Sequence, residues 1–178
     1  VELIHKANFS KPARILDLGC GSGALGISVS RALGPDCEQL ILADLSTEAL
    51  SLARENSERL EVQCELVESD LFSAITGTFD IIAANLPYVA ESARDELEPE
   101  LKYDPELALF SGADGLDCLR RFTKDCPPFL NSGGLIALEV GFDQGDLVAQ
   151  LLKEAGLVDV TVARDLNGIA RFPLARKA

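Results

Sequence analysis

The stretch "RILDLGCGSGALGIS", Arg14 to Ser28, decides the fold. Arg14 to Leu18 is a short apolar strand that runs straight into Gly19, Gly21 and Gly23. Ala24 to Leu33 then reads as a helix closed by Gly34-Pro35. Glycines between a strand and a helix let the backbone turn tightly and approach a ligand without a Cβ in the way. A bare G-x-G-x-G is weak evidence, so its meaning depends on the surrounding elements.

Those elements alternate. Gln39 to Leu45, Val62 to Val67, Phe79 to Ala84 and Gly134 to Val140 read as further strands. Helices are expected from Thr47 to about Leu60, with Ser46 as N-cap, from Asp114 to about Asp125, and from Gln144 to Ala155. Val158 to Ala163 and Ile169 to Leu174 are separated only by the turn-rich segment Arg164 to Gly168. Two strands joined so briefly pair antiparallel, because a parallel pair needs a long crossover. The pattern is α/β: a mostly parallel, doubly wound sheet with helices on both faces and an antiparallel pair at the end. There is no internal repeat and no low-complexity linker, and 178 residues suit one domain.

Composition excludes several classes of function. A net charge of −13 without a run of Lys or Arg beyond Arg120-Arg121 disfavours direct nucleic-acid binding. A basic protein surface suits such a chain better. No apolar run reaches the ~20 residues that span a bilayer, and no leader peptide opens the chain, so we expect no membrane contact and a cytoplasmic location. The five cysteines form no CxxC pair and read as free thiols of a reducing compartment. The single histidine, His5, leaves no basis for a His-centred triad or a multi-histidine metal site, so no metal is expected. The absence of methionine fits either an excised fragment or a chain whose modified methionines are not written out.

Two carboxylates give the glycine loop its context. Asp44 ends the second strand and Asp70 follows the third, in "VESDLF". In such sheets ligands bind at the carboxyl ends of the strands, and an acid about 20 residues after the glycines can bind ribose hydroxyls. Asp17, just before the loop, would repel a dinucleotide's phosphates and favour a cationic ligand. S-adenosylmethionine has a sulfonium, an ammonium and no phosphate.

"FDIIAANLPYV" ends a buried strand on Asn85-Leu86-Pro87-Tyr88, a side-chain amide followed by a proline and a tyrosine. The chain here resembles the class I S-adenosylmethionine-dependent methyltransferases, whose Asn-x-Pro-Tyr motif serves methylation of a planar, conjugated NH2. Such a nitrogen is a poor nucleophile. Two oxygen acceptors can grip its N–H bonds: the side-chain oxygen of Asn85 and a carbonyl near Pro87. The proline fixes the loop, and the Tyr88 ring can pack on the flat group.

Over nearly its whole length the chain is most similar to the HemK/PrmC release-factor glutamine methyltransferases. The blocks "ILDLGCGSGALGI", "ADLSTEAL", "ESDLF" and "FDIIAANLPYV" stand in that family's order. So do "LEPELKYDPELALFSGADGLDCLRRF", Leu97 to Phe122, and "GGLIALEVGFDQGDLV". The resemblance implies a Rossmann-like, seven-stranded sheet with an antiparallel last strand. It also implies N5-methylation of the glutamine in the Gly-Gly-Gln loop of peptide-chain release factors. It assigns Asp17, Gly19, Gly21, Gly23, Asp44, Leu45, Asp70, Leu71 and Asn85 to the cofactor, and Asn85, Pro87 and Tyr88 to the reaction. Leu86 stands where that family usually has a first proline, and Asn-Leu-Pro-Tyr also occurs in ribosomal-RNA adenine dimethyltransferases. An exocyclic amine of adenine or guanine is therefore the alternative substrate. The family's helical N-terminal domain is expected to precede residues 1–178, with "VELIHKANF" the tail of the linking segment; we expect a monomer.

Overall fold

The computed structural model describes residues 1–5, 12–96 and 105–178. The second half of "VELIHKANF", from residue 6, and the start of the Leu97 to Phe122 block lie outside them. Seven strands form one sheet: β1 Ala13–Leu18, β2 Cys37–Asp44, β3 Glu65–Glu68, β4 Phe79–Asn85, β5 Leu130–Glu139, β6 Val158–Arg164 and β7 Ala170–Arg176. Their order is β3-β2-β1-β4-β5-β7-β6. β1 to β5 pair in parallel, and β7 runs antiparallel between β5 and β6. The expected antiparallel final pair is therefore present, and β7 alone reverses direction.

The helices α1 Glu2–His5, α2 Ala24–Leu33, α3 Thr47–Arg59, α4 Glu106–Leu109, α5 Asp117–Asp125 and α6 Gly145–Glu154 complete the elements used below. Both faces of the sheet are covered, which is why its central strands are continuously apolar. Ile15, Leu40, Leu42 and Ile81 pack with Ile27 of α2 and Ala53 of α3. Leu16, Leu18, Ile82 and Ile136 pack on the other face with Phe122 of α5 and Leu152 of α6. Successive residues of β1 thus enter opposite cores, as the two-residue side-chain repeat of a strand requires.

Ser46 caps α3 as expected, its Oγ accepting the Ala49 N–H at 3.1 Å. Three boundaries differ from the sequence reading by three residues or more. β3 starts at Glu65 and not at Val62, because the Leu60, Glu61 and Val62 amides turn back onto Asn56, Glu58 and Ser57 to finish α3. β5 begins at Leu130, four residues earlier than Gly134, because Leu130 already pairs with Phe79. α5 begins at Asp117 and not Asp114: Ser111 accepts the amides of Asp117 and Cys118, which holds the preceding residues in a turn.

The strand order reverses between β1 and β4. The loops after these two strands, Gly19–Gly23 and Asn85–Tyr88, consequently flank the crevice where open α/β sheets take their ligands.

Candidate active site

The glycine loop is a turn folded over the end of β2. Gly19 and Cys20 both donate to the Ala43 carbonyl, at 2.8 and 2.9 Å, and Gly23 closes the turn onto the Cys20 carbonyl at 2.8 Å. Gly19, Gly21 and Gly23 all have positive φ, of 70, 53 and 77°. Their surroundings separate their roles. A Cβ on Gly23 would press on Ile27, Leu42 and Ala53, so that glycine serves packing. A Cβ on Gly21 would meet nothing within 4 Å, so Gly21 faces open space. Leu45, which follows Asp44, is 53% exposed.

Asp44 fastens the loop to β2. Its Oδ2 accepts the Gly21 N–H at 2.8 Å and its Oδ1 the Ser46 N–H at 2.9 Å. Each oxygen keeps a further lone pair for a ligand hydroxyl. Asp70 lies on the other side of β2, exposed and 2.8 Å from Arg121 of α5. Together with Leu71, Phe72, Arg121 and Phe129 it lines a groove of about 570 Å³. Leu71 holds a left-handed backbone, φ 48°, that a branched side chain rarely adopts. Ser69 keeps it there by donating to the Leu71 carbonyl at 2.6 Å.

Asp17 sits beneath the loop, 1% exposed, with Oδ2 accepting the Gly26 N–H at 2.7 Å. Gly26 must be glycine, since a Cβ there would come within 2.8 Å of the carboxylate. Burial raises the Asp17 pKa to about 7, the Gly26 bond opposes the rise, and the nearby Asp44 charge adds to it. The native state therefore holds a proton that the unfolded chain releases near pH 4, so stability falls as pH rises from about 4 to about 7 and then levels. Asp17→Asn should flatten this segment of a urea-midpoint-versus-pH curve. Relative to its own value at pH 4, the variant should gain on the wild type by up to about 4 kcal/mol at pH 8. Parallel curves for the two proteins would show that Asp17 ionises normally.

Asn85 closes β4, exposed, and pairs in register with Glu139 of β5. Among the described residues no donor or acceptor engages its side chain. A Cβ on Gly19 would lie 3.9 Å from the Asn85 carbonyl and 2.9 Å from Leu86 Cδ2, so the two loops touch. The Leu86 side chain, 3% exposed, fills the space under Gly19. That accounts physically for leucine at the position where the resembling family has proline.

Tyr88 is gripped from three sides. The Gln144 side chain donates to its carbonyl at 2.9 Å, and Arg171 donates to its hydroxyl at 3.1 Å. Gly115 has φ 77°, and a Cβ on it would lie 2.2 Å from the same carbonyl. The segment around Gly115 docks on the tetrad's exit through Val89–Leu109 and Ser111–Val89 backbone bonds. This is the physical content of the Gly-x-Asp-Gly-Leu stretch.

Residues 2–101 match the family described as Methyltransferase small domain. The chain belongs to this family. It is also similar to the Release factor glutamine methyltransferase of Deinococcus radiodurans, 39% identical over 165 residues, covering 93% of this chain and 58% of that protein. The protein of the same name from Cereibacter sphaeroides is 40% identical over 177 residues, covering 98% of this chain and 63% of its own. These matches bear out the resemblance stated from the sequence, and the chain spans about six-tenths of the length of those relatives. Among solved structures, the ribosomal protein L11 methylase of Lactobacillus delbrueckii subsp. bulgaricus has a TM-score of 0.68 at 20% identity, covering 99% of this chain and 77% of its own. A SAM-dependent O-methyltransferase from Thermotoga maritima has a TM-score of 0.73 at 15% identity, covering 99% and 63%. Both share the methyltransferase fold.

Within this candidate site the structure brings Gly19, Asn85 and Leu86 together, ties Gly21 to Asp44, and sets Asp70 and Leu71 on a separate groove. Gln144 and Arg171 were missed by sequence reasoning. The only available signal for Gln144 was its place in the "EVGFDQ" block; Arg171 had none.

Proposed function

We propose that residues 1–178 form a catalytic domain that transfers a methyl group from S-adenosylmethionine to the side-chain amide nitrogen of a glutamine. The glutamine is that of the Gly-Gly-Gln motif of peptide-chain release factors. The observation that carries this reading is Asn85, an exposed side-chain amide without a partner among the described residues, on a strand end touching the glycine loop. Nothing in the packing requires an amide there. The relatives named Release factor glutamine methyltransferase support the choice of substrate.

The residues present fit the cofactor. Gly21 leaves an open cradle, Asp44 offers lone pairs to a ribose diol, and the exposed Leu45 offers apolar surface for an adenine, with Asp70 and Leu71 on the groove across β2. Asp17 braces the loop from beneath and, when ionised, adds negative potential for a cationic ligand. When bound, S-adenosylmethionine supplies an electrophilic methyl on a sulfonium. The chain's own contribution is positioning. Asn85 Oδ1 and a backbone carbonyl beside Pro87 accept the two N–H bonds of the substrate amide, hold the nitrogen still and favour its pyramidal form. Tyr88 closes the pocket against the amide plane and excludes water. The amide nitrogen takes the methyl, with S-adenosylhomocysteine as the other product, and sheds one N–H proton only afterwards, so no side chain has to remove it beforehand and holding the amide in line is the main source of rate.

A nucleic-acid amine is the competing substrate, and the charge of −13 weighs against it. The acidic surface suits a basic protein partner, encountered by a monomer in the cytoplasm. The test uses methyl-labelled S-adenosylmethionine with purified release factor and, in parallel, ribosomal RNA. Label in the Gly-Gly-Gln peptide is the expected result, and label confined to RNA would establish the alternative.

A further inference from the structure

Tyr88 is held at its carbonyl by Gln144, from the turn between β5 and α6, and at its hydroxyl by Arg171 of β7, which is itself bonded to the start of that turn. Gln144, 7% exposed, uses both atoms of its amide: Nε2 donates to the Tyr88 carbonyl at 2.9 Å, and Oε1 accepts the Gly141 N–H at 3.0 Å. Gly141 is fitted to it, since a Cβ there would lie 2.9 Å from Gln144 Oε1. Arg171 of β7 donates through Nε to the Val140 carbonyl at 3.1 Å and through Nη2 to the Tyr88 hydroxyl at 3.1 Å. Glu139, the register partner of Asn85, lies 3.6 Å from the same guanidinium.

We propose that Gln144 and Arg171 are positioning residues for methyl transfer, forming a latch that aims the free carbonyls of Leu86 and Pro87 by fixing Tyr88. The inference rests on the reading of Asn85 and a backbone carbonyl beside Pro87 as the two amide acceptors. Asn85 is set by β4, so its position needs no further support. Leu86 and Pro87 lie beyond the strand, and the aim of their carbonyls depends on where the chain is next pinned. That point is Tyr88. The Tyr88 carbonyl is already occupied by Gln144, whereas the Leu86 and Pro87 carbonyls take no donor among the described residues. A core amide serving packing alone would not need to join two backbone groups 53 residues apart, Tyr88 and Gly141, in one side chain.

The test compares Gln144→Met, Arg171→Met, Tyr88→Phe and the last two combined with the wild-type chain. Gln144→Met keeps the volume and removes the donor. Its kcat on release factor should fall at least tenfold, with the S-adenosylmethionine Kd within twofold. Hydrogen exchange across 85–90 should quicken while 19–23 stays unchanged. Arg171→Met should cost little further kcat when Tyr88 is already phenylalanine, because the arginine acts through the hydroxyl. Near-normal kcat in Gln144→Met, or unchanged exchange at 85–90, overturns the latch, as does a cofactor Kd that weakens in step with kcat. Should Gln144→Met not fold, additive losses in the Arg171 and Tyr88 pair overturn it equally. If the wild type leaves release factor unmodified, the substrate reading falls and the exchange comparison alone decides the latch.

Discussion

Asn85→Ala is expected to lower kcat for methyl transfer by at least about a hundredfold and to leave S-adenosylmethionine affinity within about threefold. The size follows from the chemistry. An amide nitrogen attacks only when its lone pair is turned out of conjugation, and Asn85 supplies one of two acceptors that hold it so. Removing one preorganised hydrogen-bonding group from a reacting centre costs ~10²–10³ in rate in comparable sites. Folding should be nearly untouched: the side chain is exposed and has no partner among the described residues, so its loss orphans no buried group. The glycine loop meets this residue through the Asn85 backbone and the Leu86 side chain, both of which the variant keeps. Isothermal titration for the cofactor and single-turnover label transfer separate the two quantities. A near-normal rate would remove Asn85 from the reaction and with it the proposed acceptor pair.

How much of this site was readable from sequence follows from the range of the interactions involved. The strand–glycines–helix unit is local, so Ala24–Leu33 and the Ser46 cap were legible in the residues themselves. The carboxyl-edge clustering of Gly19, Asp44 and Asn85 follows from strand ends once the sheet is parallel. The β3 boundary was not legible, because Val62 and Cys64 are as apolar as a strand while Glu61, φ 55°, still belongs to the helix exit. The role of Leu86 required knowing that β1 and β4 are neighbours. Arg171 reaches Tyr88 across 83 residues only because β7 folds back antiparallel beside β5, and no local pattern marks that meeting. The separate placement of Asp70 also needed the fold: its partner Arg121 comes from α5, 51 residues on.

Asp44→Ala is expected to weaken S-adenosylmethionine binding by about thirtyfold or more. Asp44 has two kinds of work at the end of β2. It holds the Gly21 and Ser46 amides, which sets the shape of the cradle and the start of α3, and it offers its remaining lone pairs to the ribose diol. Charge-assisted hydrogen bonds of this kind contribute ~2–4 kcal/mol when a pair is lost. At 1.4 kcal/mol per tenfold this spans roughly thirtyfold to several hundredfold in Kd. Asp44→Asn separates the two contributions, because its amide oxygen still accepts one of the two backbone N–H groups while the charge is gone. Its Kd should fall between those of the wild type and Asp44→Ala, and its melting temperature should lie closer to the wild type. The rate on a saturating cofactor should change little in Asp44→Asn, since the carboxylate touches neither Asn85 nor Pro87 among the described residues. Calorimetry that returns the wild-type Kd for Asp44→Ala would place the ribose elsewhere, and the groove beside Asp70 and Leu71 would then be the next site to probe.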